Sequence, residues 1–194
     1  MCGRYLFSED GNEELREIKK TVDAEYGTDA WKSGEIRPTN MAPVLIGEGN
    51  SMHPRLFSWG FRTAKSLVIN ARAETAQEKP LFRDAVSKSR CVIPSSGFYE
   101  WDTARRKYRF ALPGNPTLYM AGIVSDFNNG VPCFCILTTA ANASMEEIHD
   151  RMPLVLQPKH VSDWLHDDSA AGDILRMTPP LLERESEESQ LSLW

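Results

Sequence analysis

RCVIPSSGFYEWDTARRKYRFALPGNPTLYMAGIVSDFNNGVPCFCILTTA, residues 90–140, is the stretch that decides the fold. It breaks into short runs rich in Val, Ile, Phe, Tyr and Thr: RCVIP (90–94), GFYEW (97–101), KYRFAL (107–112), TLYMAGIVSDF (117–127) and PCFCILTTA (132–140). Ser, Gly, Pro and Asn punctuate them, as expected of strands joined by tight turns. Working outward, RLFSWGF (55–61) and SLVINARAE (66–74) continue the pattern upstream, and one helical segment, PLFRDAVSKS (80–89), interrupts it. Many short strands with few helices predict an α+β fold. Its single domain is built around a mainly antiparallel, curved, barrel-like sheet with peripheral helices.

The flanks add the helices. NEELREIKKTVDAEY (12–26) sets Leu15, Ile18 and Val22 at the spacing of one helical face, with Tyr26-Gly27 as its end. CGRYLF (2–7) reads as a first strand, and EIRPTNMAPVLIGEG (35–49) as a Pro-interrupted loop entering a strand at Val44–Ile46. NASMEEIHD (142–150) predicts a helical turn, MPLVL (152–156) a strand, and PKHVSDWLHD (158–167) a helix opened by Pro158. Residues 170–194 read as a loosely packed acidic tail of the single domain 1–194.

Composition limits the function classes. The hydrophobic fraction is 41% and the charged fraction 25%, ordinary for a globular protein. No stretch has the apolar length of a membrane span, and the start does not read as a signal peptide. The expectation is a cytoplasmic protein with four reduced cysteines, no membrane association, no metal, no cofactor and no obligate protein partner, most simply a monomer. Net charge is −5, but residues 55–109 hold 12 Lys/Arg against 5 Asp/Glu. That middle segment is either an anion site or an interspersed solvated face.

Four places carry chemistry. Cys2 follows Met1 directly; with Met1 removed it would present an amine and a thiol on adjacent carbons. Their reference pKa values are about 8 and 8.5, so both are partly in reactive form near neutrality. A 1,2-aminothiol condenses with an aldehyde to an imine, and the adjacent sulfur closes a five-membered ring in an intramolecular step. In INARAET (69–75), an extended chain puts Asn70, Arg72 and Glu74 on one face and Ala71 and Ala73 on the other. Asn orients a nucleophile or oxyanion and Arg grips phosphate, although a plain solvent-facing row has the same pattern. In PSSGFYEWD (94–102), Glu100 lies between Tyr99 and Trp101, either desolvated and suited to proton transfer or facing water at an edge. In IHDRMPLVL (148–156), His149 stands where a helical turn yields to a strand, a position for a general acid or base. Cys133 and Cys135 form a C-x-C that reads better as buried strand residues than as metal ligands.

MCGRY, TNMAP, WGF, INARAET, CVIPSSGFYEW and TTAAN…IHDRMPLVL, in this order over roughly residues 1–160, resemble the SOS response-associated peptidase (SRAP) family. The resemblance implies a sensor of abasic sites in single-stranded DNA. Such a protein traps the opened sugar covalently through the N-terminal cysteine as a thiazolidine. It implies Cys2 as nucleophile, Asn70 as its positioner, and Glu100 and His149 as proton carriers. Arg4 and Arg72 would be phosphate clamps, with Asn40, Pro43 and Thr139 on DNA-lining motif positions. The family name reflects autoproteolytic loss of Met1. Two features depart from the family pattern: only FRTAKSLVI (61–69) separates Trp59-Gly60 from Asn70, and the C-terminal stretch 181–194 lacks the family's Asn-rich segment. Two other readings stay open: a thiol peptidase pairing Cys2 with His149, and a noncatalytic binder of single-stranded DNA.

Overall fold

The computed structural model describes residues 2–128 and 130–186. The chain begins with β1 (Tyr5–Phe7) and helix α1 (Glu13–Tyr26). Leu15, Ile18 and Val22 are the buried residues of α1, as their spacing requires. Asn12 caps the helix by accepting the Leu15 N–H at 3.0 Å, and Gly27 ends it at φ 87°. β2 (Gly34–Ile36) leads to a long hairpin of β3 (Met41–Glu48) and β4 (Ser51–Trp59). A small hairpin, β5 (Phe61–Arg62) and β6 (Leu67–Val68), precedes β7 (Asn70–Arg72), α2 (Ala73–Ala76) and α3 (Arg83–Lys88). Then come β8 (Arg90–Ser95), β9 (Gly97–Trp101), β10 (Lys107–Ala111), β11 (Leu118–Asn128) and β12 (Val131–Ala140). The chain finishes with β13 (Arg151–Pro153), β14 (Val155–Leu156), α4 (Pro158–His166), α5 (Asp168–Ile174) and β15 (Glu183–Ser186).

Five strands close a ring. β3 pairs with β4 and β8, β8 with β11, and β11 with β12. β12 returns to β4 in parallel at Cys133↔Ser58 and Phe134↔Trp59. Trp59 and Phe134 stack inside at 6.1 Å, and Trp164 of α4 covers β8 from outside, its indole N–H donating to the Cys91 carbonyl at 2.9 Å. A second sheet, in the order β15-β10-β9-β1-β2, grows from the ring where β8 passes into β9. Gly97 opens β9 at φ 148°, and a Cβ there would lie 2.6 Å from the Phe110 carbonyl. Only glycine fits that approach.

The expected architecture is present: a mixed fold with a curled, mainly antiparallel sheet and few helices. Among the described residues, no helix is long and apolar enough to cross a membrane. Three local expectations are corrected. INARAET is not extended throughout: the chain turns helical at Ala73, so Glu74 leaves the row of Asn70 and Arg72. MPLVL is split at Leu154, whose N–H goes to Leu137 and whose carbonyl takes the Ala121 N–H, so β13 pairs β12 while β14 pairs β11. The tail 170–194 is not loose as far as Ser186. Ile174, Leu175 and Leu182 are buried, Asn142 Nδ2 donates to the Pro179 and Pro180 carbonyls, and β15 adds to the edge of β10. Backbone pairing at a sheet edge is indifferent to the acidic side chains that suggested a free tail. Residues 187–194 lie outside the described part.

Candidate active site

Cys2 is placed by β1. Tyr5 lies opposite Phe98 and the Tyr99 N–H donates to the Arg4 carbonyl at 2.9 Å, so the antiparallel register carries the start of the chain alongside Glu100. Phe98 and Glu100 share the face of β9 that turns inward; Glu100 is 5% exposed and Cys2 0%. The Cys2 carbonyl accepts a hydrogen bond from Asn70 Nδ2 at 2.9 Å, and its Sγ donates to the Arg4 carbonyl at 3.7 Å. Burial first, then the Glu100 charge, push the thiol up to about 12, against the opposing Arg4 backbone contact. The sulfur is therefore held as a thiol at neutral pH.

Asn70 begins β7, opposite Ile136 of the parallel neighbour β12. Ala71 and Ala73 behind it are buried, as the small-residue row requires. With Nδ2 on Cys2, the Asn70 Oδ1 is buried and has no hydrogen-bond partner among the described residues. An acceptor is thus aimed beside the Cys2 backbone.

His149 follows the turns of residues 143–148, its N–H donating to the Met145 carbonyl at 3.1 Å. Its Nδ1 accepts the Arg151 N–H at 2.9 Å, and Asp150 Oδ1 lies 2.9 Å from that same nitrogen. The two contacts make opposite demands, since a backbone donor needs a lone pair and an ion pair needs a proton. The backbone donor is fixed by the chain whereas the Asp150 side chain is 85% exposed, so the Arg151 N–H sets the orientation of the ring. The Arg151 side chain forks onto Glu74 at 2.6 and 2.9 Å and reaches the Thr138 carbonyl at 2.6 Å. Hydrogen bonding from Arg151 holds the Glu74 carboxyl below the usual range. This clamp ties the His149 turn to the helix that starts right after Arg72. Arg151 carries no role in the sequence pattern, although it stands two residues after His149 in IHDRMPLVL.

The remaining candidates divide. Arg4 lies 3.4 Å from Glu35 and 4.9 Å over the Trp101 ring, on the outer face of the second sheet. There Arg37 (2.6 Å) and Lys107 (3.1 Å) reach the same Glu35 carboxylate, and Lys107 Nζ sits 3.9 Å over Tyr99. Burial raises Glu35, but Arg37, Lys107 and Arg4 together bring it below its ordinary value. Arg72 is exposed and forms no ion pair among the described residues. Asn40 is a turn-builder: its Oδ1 accepts the Arg37 N–H and its carbonyl the Trp59 N–H, next to Thr39 at φ 76°. Pro43 is buried in β3 opposite Leu56, so it shapes the strand rather than offering a surface contact. Thr139 is half-buried in β12 opposite Met152. Cys133 and Cys135 are fully buried strand residues. Much of the basic segment is neutralised locally: Arg55 pairs with Glu25 and Glu48, Arg90 with Asp168, and Arg106 with Asp102.

A family model described as SOS response associated peptidase (SRAP) matches residues 1–192. The chain belongs to the SRAP family. Among relatives of this SRAP chain, the abasic site processing protein YoqW of Bacillus subtilis (strain 168) is 34% identical, over 91% of this chain and 85% of its own. The abasic site processing protein YedK of Escherichia coli (strain K12) is 28% identical, over 87% of this chain and 81% of its own. Solved structures share the fold. A protein from Bacteroides thetaiotaomicron superposes with a TM-score of 0.78 at 22% identity, covering 95% of this SRAP chain and 91% of the other. A phage-related protein from Bordetella bronchiseptica gives 0.72 at 20% identity, covering 95% and 93%.

Proposed function

We propose that this SRAP protein processes abasic sites in single-stranded DNA by forming a covalent crosslink through Cys2 after removal of Met1. The observation that carries the reading is the gathering of Cys2, its carbonyl held by Asn70 at 2.9 Å, with the buried Glu100 whose charge acts on the Cys2 thiol. The names of the relatives YoqW and YedK, both abasic site processing proteins, supply the substrate class.

An abasic sugar opens to an aldehyde. The freed Cys2 amine adds to that carbon, the carbinolamine loses water as the imine forms, and the sulfur then adds to the same carbon. Asn70 Oδ1 is available to accept an amine N–H and aim its lone pair. Glu100 and His149 move the protons of ring opening, dehydration and closure. Arg4 and Arg72 hold the flanking phosphates.

A thiol held near pKa 12 favours this order of steps, amine first and sulfur second. It disfavours a thiol peptidase, which needs a thiolate paired with imidazole at neutral pH; the Cys2 sulfur instead donates to a carbonyl. Incubating Met1-free protein with single-stranded DNA bearing one abasic site is expected to give a denaturant-resistant adduct, absent with Cys2→Ala. No adduct from intact abasic DNA overturns the reading, and equal binding of damaged and undamaged strands without an adduct favours a simple binder.

A further inference from the structure

Tyr5 is a buried polar group that the scheme above leaves unused. Its ring is fully buried and packs against Trp59 at 5.3 Å, and Trp59 in turn donates to the carbonyl of Ile69, the neighbour of Asn70. Its hydroxyl has no hydrogen-bond partner among the described residues. A buried hydroxyl without a partner is costly and calls for an explanation. Its direction supplies one. Tyr5 stands opposite Phe98, whose face Glu100 shares, so the ring enters the same interior as the carboxylate. Its hydroxyl lies within electrostatic reach of the Cys2 and Cys91 sulfurs.

We propose that Tyr5 is a positioning residue for the sulfur step, its O–H donating a hydrogen bond to the Cys2 sulfur as the thiazolidine closes. This rests on the crosslinking reading above. In closure the S–H proton passes to the Glu100 carboxylate and the sulfur electron pair forms the S–C bond. The C=N π pair returns to nitrogen, which takes up the proton now held by Glu100, leaving a neutral secondary amine. Between proton loss and bond formation, negative charge sits on sulfur in an apolar interior, where a fixed donor is worth most. The phenol is kept as a donor because burial first, and then the two thiols, push its ionisation well above the ordinary value. A hydroxyl left unpaired in the resting molecule is thus paired during the reaction.

The test separates the two bonds. Met1-free protein is mixed with abasic single-stranded DNA and sampled over time. Borohydride quench traps the imine along with later adduct, whereas adduct surviving denaturation without borohydride reports closure. For Tyr5→Phe, borohydride-trapped adduct is expected to appear at the wild-type rate. Borohydride-independent adduct should form about tenfold more slowly, and more steeply with rising pH. The melting temperature of Tyr5→Phe is expected to equal or exceed that of wild type, since the variant discards an unpaired buried group. A 3-fluorotyrosine at position 5 keeps the ring and lowers the phenol pKa; it should shift the pH profile of closure alone. Unchanged closure in Tyr5→Phe, or equal slowing of both adducts, overturns the assignment. Failure of wild-type protein to form any adduct instead removes the crosslinking reading itself.

Discussion

Asn70 and Cys2, 68 residues apart in the chain, are joined by a 2.9 Å hydrogen bond from the Asn70 amide to the Cys2 carbonyl. The bond fixes an otherwise short leading segment against β7, a strand anchored by parallel pairing with β12. Leading segments fray unless tied down, and under the proposed function the same side chain would orient the Cys2 amine.

Replacing Asn70 by Ala removes the bond to the Cys2 carbonyl and, in the proposed scheme, the acceptor for the amine. The Cys2 amine would then sample many orientations, and adduct formation is expected to fall by about tenfold to a hundredfold, the range of one lost hydrogen bond to a reacting group. Time courses of denaturant-resistant adduct measure it directly. A variant as fast as wild type would show that the amide serves folding alone.

The thiols supply a second expectation. All four cysteines are free and buried, and Cys2 has its thiol pushed up to about 12. Burial is the main cause of that rise, so while Cys2 stays buried its sulfur offers little thiolate near neutral pH. Native protein retaining Met1 should show no fast thiol toward Ellman's reagent at pH 7.5, and four after denaturation. One rapidly reacting native thiol would contradict the burial of Cys2 and reopen the peptidase reading.

The strand pattern is readable because each run alternates or concentrates β-branched and aromatic residues between strong turn signals, and Leu15, Ile18 and Val22 declare their helix by spacing alone. Pairing partners are a different matter. That β12 turns back to β4 in parallel, or that Leu154 divides a run in two, depends on contacts between residues far apart in sequence. The edge strand β15 is hidden because main-chain pairing leaves little mark on acidic side chains. At the site, Cys2, Asn70 and Glu100 are each legible as chemistry, and the fold brings them together. Asn40 and Pro43 match a motif but serve a turn and a buried strand. Tyr5 carries no local signal beyond a tyrosine in a first strand, since only the folded molecule reveals that its hydroxyl is unpaired.

The Glu74–Arg151 clamp predicts a pH-dependent loss of stability. The folded carboxyl titrates below its unfolded value of about 4.3, so the pair stabilises fully above that pH and fades as pH falls through the folded value. Glu74 is 45% exposed on its side chain, which limits the pair to about 1 kcal/mol at most. Urea unfolding of wild type and Glu74→Gln should differ by that amount at pH 7 and converge as pH falls through the folded value. A gap independent of pH would place the effect in packing instead of charge.

Glu35 gathers Arg4, Arg37 and Lys107 on one carboxylate. In a protein of net charge −5, these cations form a positive cluster around Glu35, and under the proposed function that counterion would compete with DNA for them. Glu35→Gln removes the competing charge while keeping a side chain of the same shape. Binding of undamaged single-stranded DNA should tighten about three- to tenfold at low salt. Each additional phosphate contact should steepen the slope of log affinity against log salt by about 0.7. Fluorescence anisotropy over a salt series with Cys2→Ala protein measures this without crosslinking. Weaker binding by Glu35→Gln would mean that the carboxylate organises the three cations for DNA and does not withhold them.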